Sequence, residues 1–387
     1  MQNTLIKNRP HWLKRISDAW DKVSLVWLCG VRRSGKTVIS KMLPPDKTLF
    51  LNCDLPSVGE RVRDPALFFE SVEKSVGKSV GKPMVVFDEI HQLPDPSRLL
   101  KIGTDEFPNV KILATGSSTL SASRKFRDTL TGRKRDVLLT PVTLDELAEF
   151  GVTLEQRIYH GGLPSALMSA SKEPSFYREW LDSYFARDIQ YLFGVRDMQR
   201  FNALFEYLLR MSGGQLDLGK TASAIGISRP TLDSHLRILE STHTVTLLRP
   251  FSSGHRDEIV RQPKIYGFDT GFVSFVRGWD PLRPEDFGNL WEHLVLEWIQ
   301  AHHPGRKIHY WRDKQGNEID FVIPLARDTV DVIECKWNPG AFERKAMMRF
   351  RQAYPRGRNW LLSPGVATPY EQKEGGLLIT VANSLKQ

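Results

Sequence analysis

The residues best suited to chemistry form one glycine-rich stretch near the start of the chain. Residues 30–37, with the sequence GVRRSGKT, match the pattern G-x-x-x-x-G-K-[ST] and follow an apolar run at residues 23–29. Glycines let the backbone approach a phosphate closely, and a following helix favours an anion at its start. Lys36 would reach the β and γ phosphates, and Thr37 would offer its hydroxyl to Mg²⁺. We therefore predict a nucleotide-binding site made of Gly30, Ser34, Gly35, Lys36, Thr37 and Val38.

Two acids follow a second apolar run, at residues 84–87. Asp88 is expected to hold the Mg²⁺ shell, and Glu89 to orient or activate water. By itself, such an acidic strand end fits a solvated turn equally well. Combined with the glycine-rich stretch, it predicts hydrolysis of the bound nucleotide.

Two further residues are candidates for the same reaction. Ser117 follows a third apolar run at its carboxyl end, where α/β sheets bind ligands, and it would sense the γ-phosphate or position water. Arg133, in a basic turn, would stabilise phosphoryl charge on a neighbouring subunit. A plain Gly-Ser turn and a solvated basic turn are the respective alternatives.

Two acidic segments near the carboxyl terminus are typical of neighbouring strands. Residues 317–321 alternate polar and apolar side chains, and in residues 332–336 Glu334 and Lys336 share one face. Asp320 and Glu334 could share a divalent metal, with Lys336 polarising water for phosphodiester hydrolysis. A cross-strand pair on a solvated face fits the same residues.

A DNA-reading element is predicted at residues 218–241, which have helix-turn-helix spacing. Ser228 suits the N-cap of the second helix. Strands near residues 244–248 and 259–265 would complete a winged helix. On the second helix, four polar residues are expected to face outwards towards DNA: Arg229, Thr231, Ser234 and His235.

Charge supports a polyanionic partner only in part. The 54 Lys and Arg exceed the 45 Asp and Glu, which gives a net charge of +9. Residues 197–262, however, hold eight Lys and Arg against seven Asp and Glu, which is thin for phosphate neutralisation, and domain packing is the alternative there. A second basic region lies on a predicted helix after the last acidic strand. Its side chains could line a path for the phosphates of a nucleic acid; they are Arg344, Lys345, Arg349 and Arg351.

The elements that must position these residues read as an α/β arrangement. Short apolar runs alternate with helical segments from residue 23 to about 143, which predicts a parallel sheet buried on both faces. Five strands are expected, at residues 23–29, 48–53, 84–87, 111–115 and 136–139. An aromatic stripe at helical spacing begins near residue 175 and favours core packing. A length of 387 residues favours two or three domains, and we predict three, at residues 1–165, 166–270 and 271–387.

Composition excludes several classes of protein. Hydrophobic residues make up 41% and charged residues 26%, so a largely disordered chain is excluded. The three cysteines, Cys29, Cys53 and Cys335, form no C-x-x-C pair, which favours a reducing, cytoplasmic environment. No apolar run approaches the roughly 20 residues of a membrane span, so no membrane partner is expected.

The order of the motifs resembles that of bacterial and archaeal AAA+-like ATPases with a C-terminal domain related to PD-(D/E)XK nucleases, the AAA_14 and DUF4143 families. The segments that carry the resemblance are GVRRSGKT, DEIHQLPD, TGSS, HGGLPSAL, ISRPTLDSHLRILE, YWRDKQGNEIDFVI and VIECKW. It implies an α/β fold class with a P-loop AAA+-like ATPase domain, a central winged-helix domain and a C-terminal α/β restriction-endonuclease-like domain. It also implies that Glu292, on a helix, joins Asp320 and Glu334. One departure is His91, where relatives often have Gln.

These observations predict a Mg²⁺-dependent ATPase, with ATP and Mg²⁺ as cofactors, that couples nucleotide binding and hydrolysis to the binding, remodelling or translocation of DNA, branched DNA included. One alternative is an ATP-gated, metal-dependent nuclease. Another is a nucleotide-switched regulatory protein without DNA activity. An arginine supplied by a neighbour, together with the resemblance to ring-forming relatives, predicts a homo-oligomer when ATP is bound.

Overall fold

Short strands that are buried on both faces organise the first part of the molecule. The computed structural model describes residues 7–76, 82–116, 129–190, 193–252 and 262–385. Five parallel strands form one sheet in the order β2-β3-β4-β1-β5. They are β1 (Leu25–Cys29), β2 (Thr48–Asn52), β3 (Met84–Asp88), β4 (Lys111–Thr115) and β5 (Lys134–Leu138). The predicted parallel sheet is confirmed, with each strand close to its expected bounds.

Helices cover both faces of this sheet. Along β1, Leu25 and Trp27 face one hydrophobic cluster, and Val26 and Leu28 face another, because successive strand side chains point to opposite faces. The helices are α1 (Pro10–Trp20), α2 (Lys36–Ser40), α3 (Pro56–Arg61), α4 (Pro65–Val76) and α5 (Pro96–Glu106). The carboxyl ends of β1, β3 and β4 therefore meet at one edge, where the motif residues lie.

The central part is mainly helical. Its helices are α6 (Leu147–Phe150), α7 (Leu154–His160), α8 (Pro164–Leu167), α9 (Pro174–Ser183), a π-helical segment (Tyr184–Gln190), α10 (Met198–Arg210), α11 (Leu218–Ile225), α12 (Arg229–Ser241) and α13 (Thr270–Arg277). Between α12 and α13, strands β6 (Val245–Leu248) and β7 (Lys264–Gly267) pair in antiparallel fashion. The aromatic stripe is core, as expected: Trp180 is buried and stacks on Tyr184 and Phe268.

The predicted helix-turn-helix segment contains two helices in the expected places. α11 ends at Gly226, which has a φ of 71°, and the Ser228 side chain accepts a hydrogen bond from the Thr231 N–H at the start of α12. Residues 259–261 of the expected second strand lie outside the part of the chain that the structure describes. The winged-helix interpretation stays a prediction.

The last part combines helices with a mixed sheet. It contains α14 (Asp286–His302), β8 (His309–Arg312), β9 (Glu318–Ala326), β10 (Thr329–Cys335), α15 (Lys345–Ala353), β11 (Asn359–Leu362), β12 (Tyr370–Glu374) and β13 (Leu377–Ala382). The sheet order is β12-β13-β11-β10-β9-β8, with parallel pairs at β10–β11 and β11–β13. One buried cluster continues from the central helices into α14 and this sheet. Across the described ranges, no helix is both long enough and apolar enough to cross a membrane.

Candidate nucleotide site

The loop after β1, at residues 30–37, is called the P-loop below. It has the backbone geometry that its glycines predict. Gly30 has a φ of 150°, and a Cβ at this position would lie 2.4 Å from the carbonyl oxygen of Leu139. Gly35 has a φ of 99° and directly precedes α2. Both conformations disfavour other residues, so the two glycines of the motif are needed for the shape of the loop.

The Lys36 side chain folds back over this loop. Its Nζ donates to the carbonyl oxygens of Gly30 and Val31, at 3.0 and 3.1 Å, and the residue is only 8% exposed. Burial lowers the pKa of Lys36 from its ordinary value, while the carboxylates of Glu89 and Asp188 act in the opposite direction. The ammonium group contacts neutral oxygens that a phosphate can replace.

Asp88 lies at the centre of the acidic part of the site. Thr37 Oγ1 donates to Asp88 Oδ2 at 2.9 Å, and Thr115 Oγ1 donates to Asp88 Oδ1 at 2.6 Å. The hydroxyl of Thr37 beside a carboxylate is the oxygen donor pair that Mg²⁺ prefers, so these residues fit the metal. The role of Thr115 was not predicted, although its position at the end of a strand beside β3 was a usable signal.

Glu89 adopts a strained backbone conformation. Its φ is 54°, in the left-handed region, and its N–H donates to Thr115 Oγ1 at 3.1 Å. His91 Nδ1 lies 3.3 Å from Glu89 Oε2. The departure from the resembling family at His91 therefore touches the carboxylate that is expected to activate water.

Arg9, a buried residue that was not predicted from the sequence, holds the P-loop through a hydrogen bond to its backbone. Arg9 forms a two-pronged pair with Glu146, at 2.6 and 2.7 Å, and its Nη1 donates to the carbonyl oxygen of Ser34 at 3.1 Å. The Ser34 hydroxyl is fully buried and has no hydrogen-bond partner among the residues described. A buried donor without a partner, held in place beside Lys36, fits a loop shaped for an oxyanion.

The two remaining catalytic candidates are placed differently. Ser117 lies outside the described residues, so its role stays a prediction. Arg133 precedes β5, whose first residue pairs with Leu25, so it lies at the sheet edge opposite the P-loop. There its guanidinium contacts Asp105 at 2.6 and 3.0 Å. Arg133 therefore does not reach the nucleotide site of its own chain, and both a basic surface turn and the action on a neighbouring subunit stay predictions.

Two clefts flank the P-loop. One, of ≈ 290 Å³, lies between the loop and the π-helical segment and includes Glu89, His91 and Arg187 in its lining. The other, of ≈ 1150 Å³, runs past Thr37 and Val38 to apolar residues that include Met168. The larger cleft is wide enough for a nucleotide base, and its lining is partly apolar. Val38 is exposed there.

The four predicted nuclease residues lie together in the last part of the chain. Glu334 is buried, and its Oε2 lies 3.2 Å from Lys336 Nζ. Asp320 on β9 accepts from the Cys335 N–H at 2.8 Å, and Glu292 approaches from α14. The alternative of a solvated face is wrong, since Glu334 is only 4% exposed.

Lys264 and Glu318, which were not predicted as site residues, complete this cluster. Lys264 Nζ on β7 lies 3.0 Å from Glu292 Oε1, 2.6 Å from Glu318 Oε1 and 3.9 Å from Asp320 Oδ1. Burial opposes its charge, yet the three carboxylates raise the pKa of Lys264 above its ordinary value. Burial, followed by the charge of Asp320, raises the pKa of Glu334. Within the described ranges, no group of three or more His, Cys, Asp or Glu side chains is arranged to hold a metal ion.

The predicted DNA-contacting residues include one clear error. His235 is 8% exposed and packs against the ring of Phe201, so the expectation that it faces outwards is wrong. The physical reason is periodicity, because His235 lies on the same helix face as Leu232 and Leu239. Arg229 and Ser234 are exposed, Thr231 is half-buried, and Arg229 pairs with Asp233 at 3.1 Å.

A second correction concerns the basic helix α15. Arg344, Lys345 and Arg349 are exposed, but Arg351 is buried. Its guanidinium donates to Asn359 Oδ1 at 2.6 Å and to backbone carbonyls, so Arg351 ties the helix to the sheet and does not line a path for the phosphates of a nucleic acid.

Comparison with known protein families agrees with the geometry at the P-loop. Residues 22–148 match the family described as an AAA domain. This part of the chain is therefore similar to AAA-type ATPase domains. Residues 152–283 match a domain of unknown function, DUF8612, and residues 287–381 match a domain of unknown function, DUF4143. The predicted DUF4143 match is thus confirmed, and its relation to nucleases stays a prediction.

Similar proteins occur in bacteria and archaea. An uncharacterized protein of Mycobacterium tuberculosis is 27% identical over 326 residues, covering 81% of this chain and 70% of that protein. One of Methanocaldococcus jannaschii is 23% identical over 335 residues, covering 78% and 72%. Among solved structures, the Walker-type ATPase of Pyrococcus abyssi is 16% identical with a TM-score of 0.45, covering 70% of this chain and 95% of that chain.

The region that matches the AAA family contacts the central helices through the P-loop. Arg32 Nη1 lies 3.2 Å from Asp188 Oδ2 in the π-helical segment, and its carbonyl oxygen accepts from Trp180 Nε1 at 3.0 Å. Arg33, with a φ of 59°, stacks over Phe176 at 5.2 Å. The variable residues of the motif therefore connect the nucleotide site to α9 and the segment after it. Motif matching could not find this link, because those positions are unspecified in the pattern.

Proposed function

We propose that this protein is a Mg²⁺-dependent ATPase that acts on DNA and couples ATP binding and hydrolysis to DNA remodelling or translocation. The observation that carries the proposal is the contact of Arg32 with Asp188 and Trp180. Through these contacts, a movement of the P-loop on nucleotide binding would shift α9 and the π-helical segment, which precede α11 and α12 in the chain. The predicted DNA-reading element belongs to this same continuous core.

The residues of the AAA domain have distinct tasks in this proposal. Lys36 exchanges its two loop carbonyls for phosphate oxygens and neutralises their charge. Thr37 and Asp88 would hold Mg²⁺, which would neutralise part of the phosphate charge. Glu89 orients water, and His91 sets the position of its carboxylate.

Exposed basic side chains support DNA as the partner. The chain carries a net charge of +9, which favours a polyanion. Arg229 is exposed at the start of α12, and Arg344, Lys345 and Arg349 are exposed at α15. Arg133, at the sheet edge away from the P-loop, would complete a neighbour's site in an ATP-bound homo-oligomer.

The deciding experiment is steady-state hydrolysis of Mg-ATP by the purified protein, alone and with single-stranded, duplex or branched DNA. We expect DNA to stimulate turnover, and the preferred DNA structure to indicate the task. Lys36→Ala is the control for contaminating activity, and Glu89→Gln should bind ATP but not hydrolyse it. Normal turnover in both variants would refute the site assignment.

A nucleotide-switched regulator without DNA activity is the second candidate. Two observations favour it. The near balance of charge in residues 197–262 leaves little positive charge for phosphate contacts, and the burial of His235 removes one expected contact. Slow hydrolysis that no DNA changes, with ATP-dependent binding of a protein partner, would select this candidate instead.

A further inference from the structure

The acidic cluster of the last domain already contains a cation, and that cation comes from the central part of the chain. Lys264 is the first residue of β7, is 4% exposed, and places its Nζ within 3.0 Å of carboxylate oxygens of Glu292 and Glu318. Asp320 Oδ1 lies 3.9 Å away. Three carboxylates from α14 and β9 thus converge on one buried ammonium group.

The charges of this cluster nearly balance without a metal ion. Its four carboxylates are Glu292, Glu318, Asp320 and Glu334. Lys336 Nζ lies 3.2 Å from Glu334 Oε2, and Arg312 Nη1 lies 3.1 Å from Glu318 Oε2. Together with Lys264, these side chains bring three positive charges to four negative ones. A divalent ion bound by Glu292, Glu318 or Asp320 would face the Lys264 ammonium, because Nζ lies within 3.9 Å of an oxygen of each, so these residues as arranged do not fit a divalent metal.

The backbone around Lys264 keeps it in this position. The Phe251 N–H donates to the carbonyl oxygen of Tyr310 at 2.6 Å, and Tyr310 OH donates to the carbonyl oxygen of Gln262. The two ends of the β6–β7 connection are therefore both bound to edge strand β8. Tyr266, on the same strand as Lys264, donates its hydroxyl to Glu292 Oε1.

We propose that the ammonium group of Lys264 takes the position of a divalent metal ion in the acidic cluster and locks the β6–β7 hairpin onto the C-terminal sheet. With this lock in place, the cluster is a structural joint between two parts of the chain and cuts no DNA. The inference is independent of the ATPase, since none of these residues contacts the P-loop site described above.

Titration calorimetry with Mn²⁺ on nucleotide-free protein tests the proposal. The variants are Lys264→Met, which removes the charge at similar length, Lys264→Arg, which keeps it, and Lys264→Met with Asp320→Asn. We expect Lys264→Met to gain a Mn²⁺ site that binds at least about tenfold tighter than any in the wild type, because freed carboxylates are suitable ligands. The gain should vanish in the double variant and be absent in Lys264→Arg.

Melting temperatures give a second readout of the same site. Mn²⁺ should raise the melting temperature of Lys264→Met and leave the wild type and the double variant unchanged. If Lys264→Met does not fold, the wild type and Asp320→Asn are compared. Equal Mn²⁺ binding by these two proteins supports the lock. Loss of a wild-type Mn²⁺ site in Asp320→Asn, or a folded Lys264→Met that gains no site, would overturn it.

Discussion

Two buried lysines, in two parts of the molecule, meet opposite kinds of oxygen. Lys36 in the P-loop is 8% exposed and donates to two neutral carbonyls, and burial lowers its pKa. Lys264 is 4% exposed and meets three carboxylates, which raise its pKa against the effect of burial. A carbonyl is a weak partner for an ammonium group, and a carboxylate is a strong one.

This difference separates a lysine that can exchange partners from one that cannot. Exchanging carbonyl oxygens for phosphate oxygens improves the surroundings of Lys36, so nucleotide binding is favoured. Moving Lys264 would leave buried carboxylates without their counter-ion, so the joint stays closed. Removing each lysine should therefore change a different property of the protein.

The largest effect is expected for stability on removal of Lys264. Lys264→Ala should lower the free energy of unfolding by about 3–5 kcal/mol, because deleting one partner of a buried ion pair leaves uncompensated charge. Urea unfolding in the presence of EDTA measures this. The exposed Lys345→Ala is the matched control and should change stability by less than about 0.5 kcal/mol. Equal effects in the two variants would contradict the comparison.

The two lysines also differ in whether the sequence alone identifies their roles. Lys36, Thr37 and Asp88 belong to short contiguous patterns, so their types and spacing suffice to identify them. Arg9 and Lys264 act across long stretches of chain, and their partners depend on how whole elements pack. The buried position of His235 follows from its spacing of three residues to the buried Leu232, although its polar side chain alone favours the surface.

Turnover should show the reverse pattern. Lys36→Ala should lower the ATP hydrolysis rate by about 10²–10³-fold, equivalent to about 3–4 kcal/mol, because a group that stabilises transferring phosphate is lost. Its unfolding free energy should change by no more than about 1 kcal/mol, since only bonds to neutral carbonyls disappear. A coupled ATPase assay and urea unfolding are run on the same preparations. Lys22→Ala, at an exposed site, is the control, and a large stability loss in Lys36→Ala would break the contrast.

A third lysine sharpens the comparison through pH. Burial lowers the pKa of Lys172 to about 8, and its Nζ donates to Ser274 Oγ at 2.6 Å beside the Tyr159 ring. Between pH 8 and 10.5 the unfolded chain keeps this proton while the folded protein loses it, so stability should rise with pH. Relative to Lys172→Met, the wild type should gain about 3 kcal/mol across this window. Urea unfolding at several pH values tests this, and a constant difference would exclude it.

The smallest effect concerns the link between the P-loop and the central helices. Arg32 is partly exposed where it meets Asp188, so its pair should contribute less than about 1 kcal/mol to stability. We expect Arg32→Ala and Asp188→Asn each to reduce DNA stimulation of ATP turnover by about two- to fivefold, with less change in the rate without DNA. The double variant should be no worse than either single variant, because both remove one interaction. Additive losses would mean that Arg32 and Asp188 act separately, and the coupling route would then have to run through the Trp180 contact with the loop.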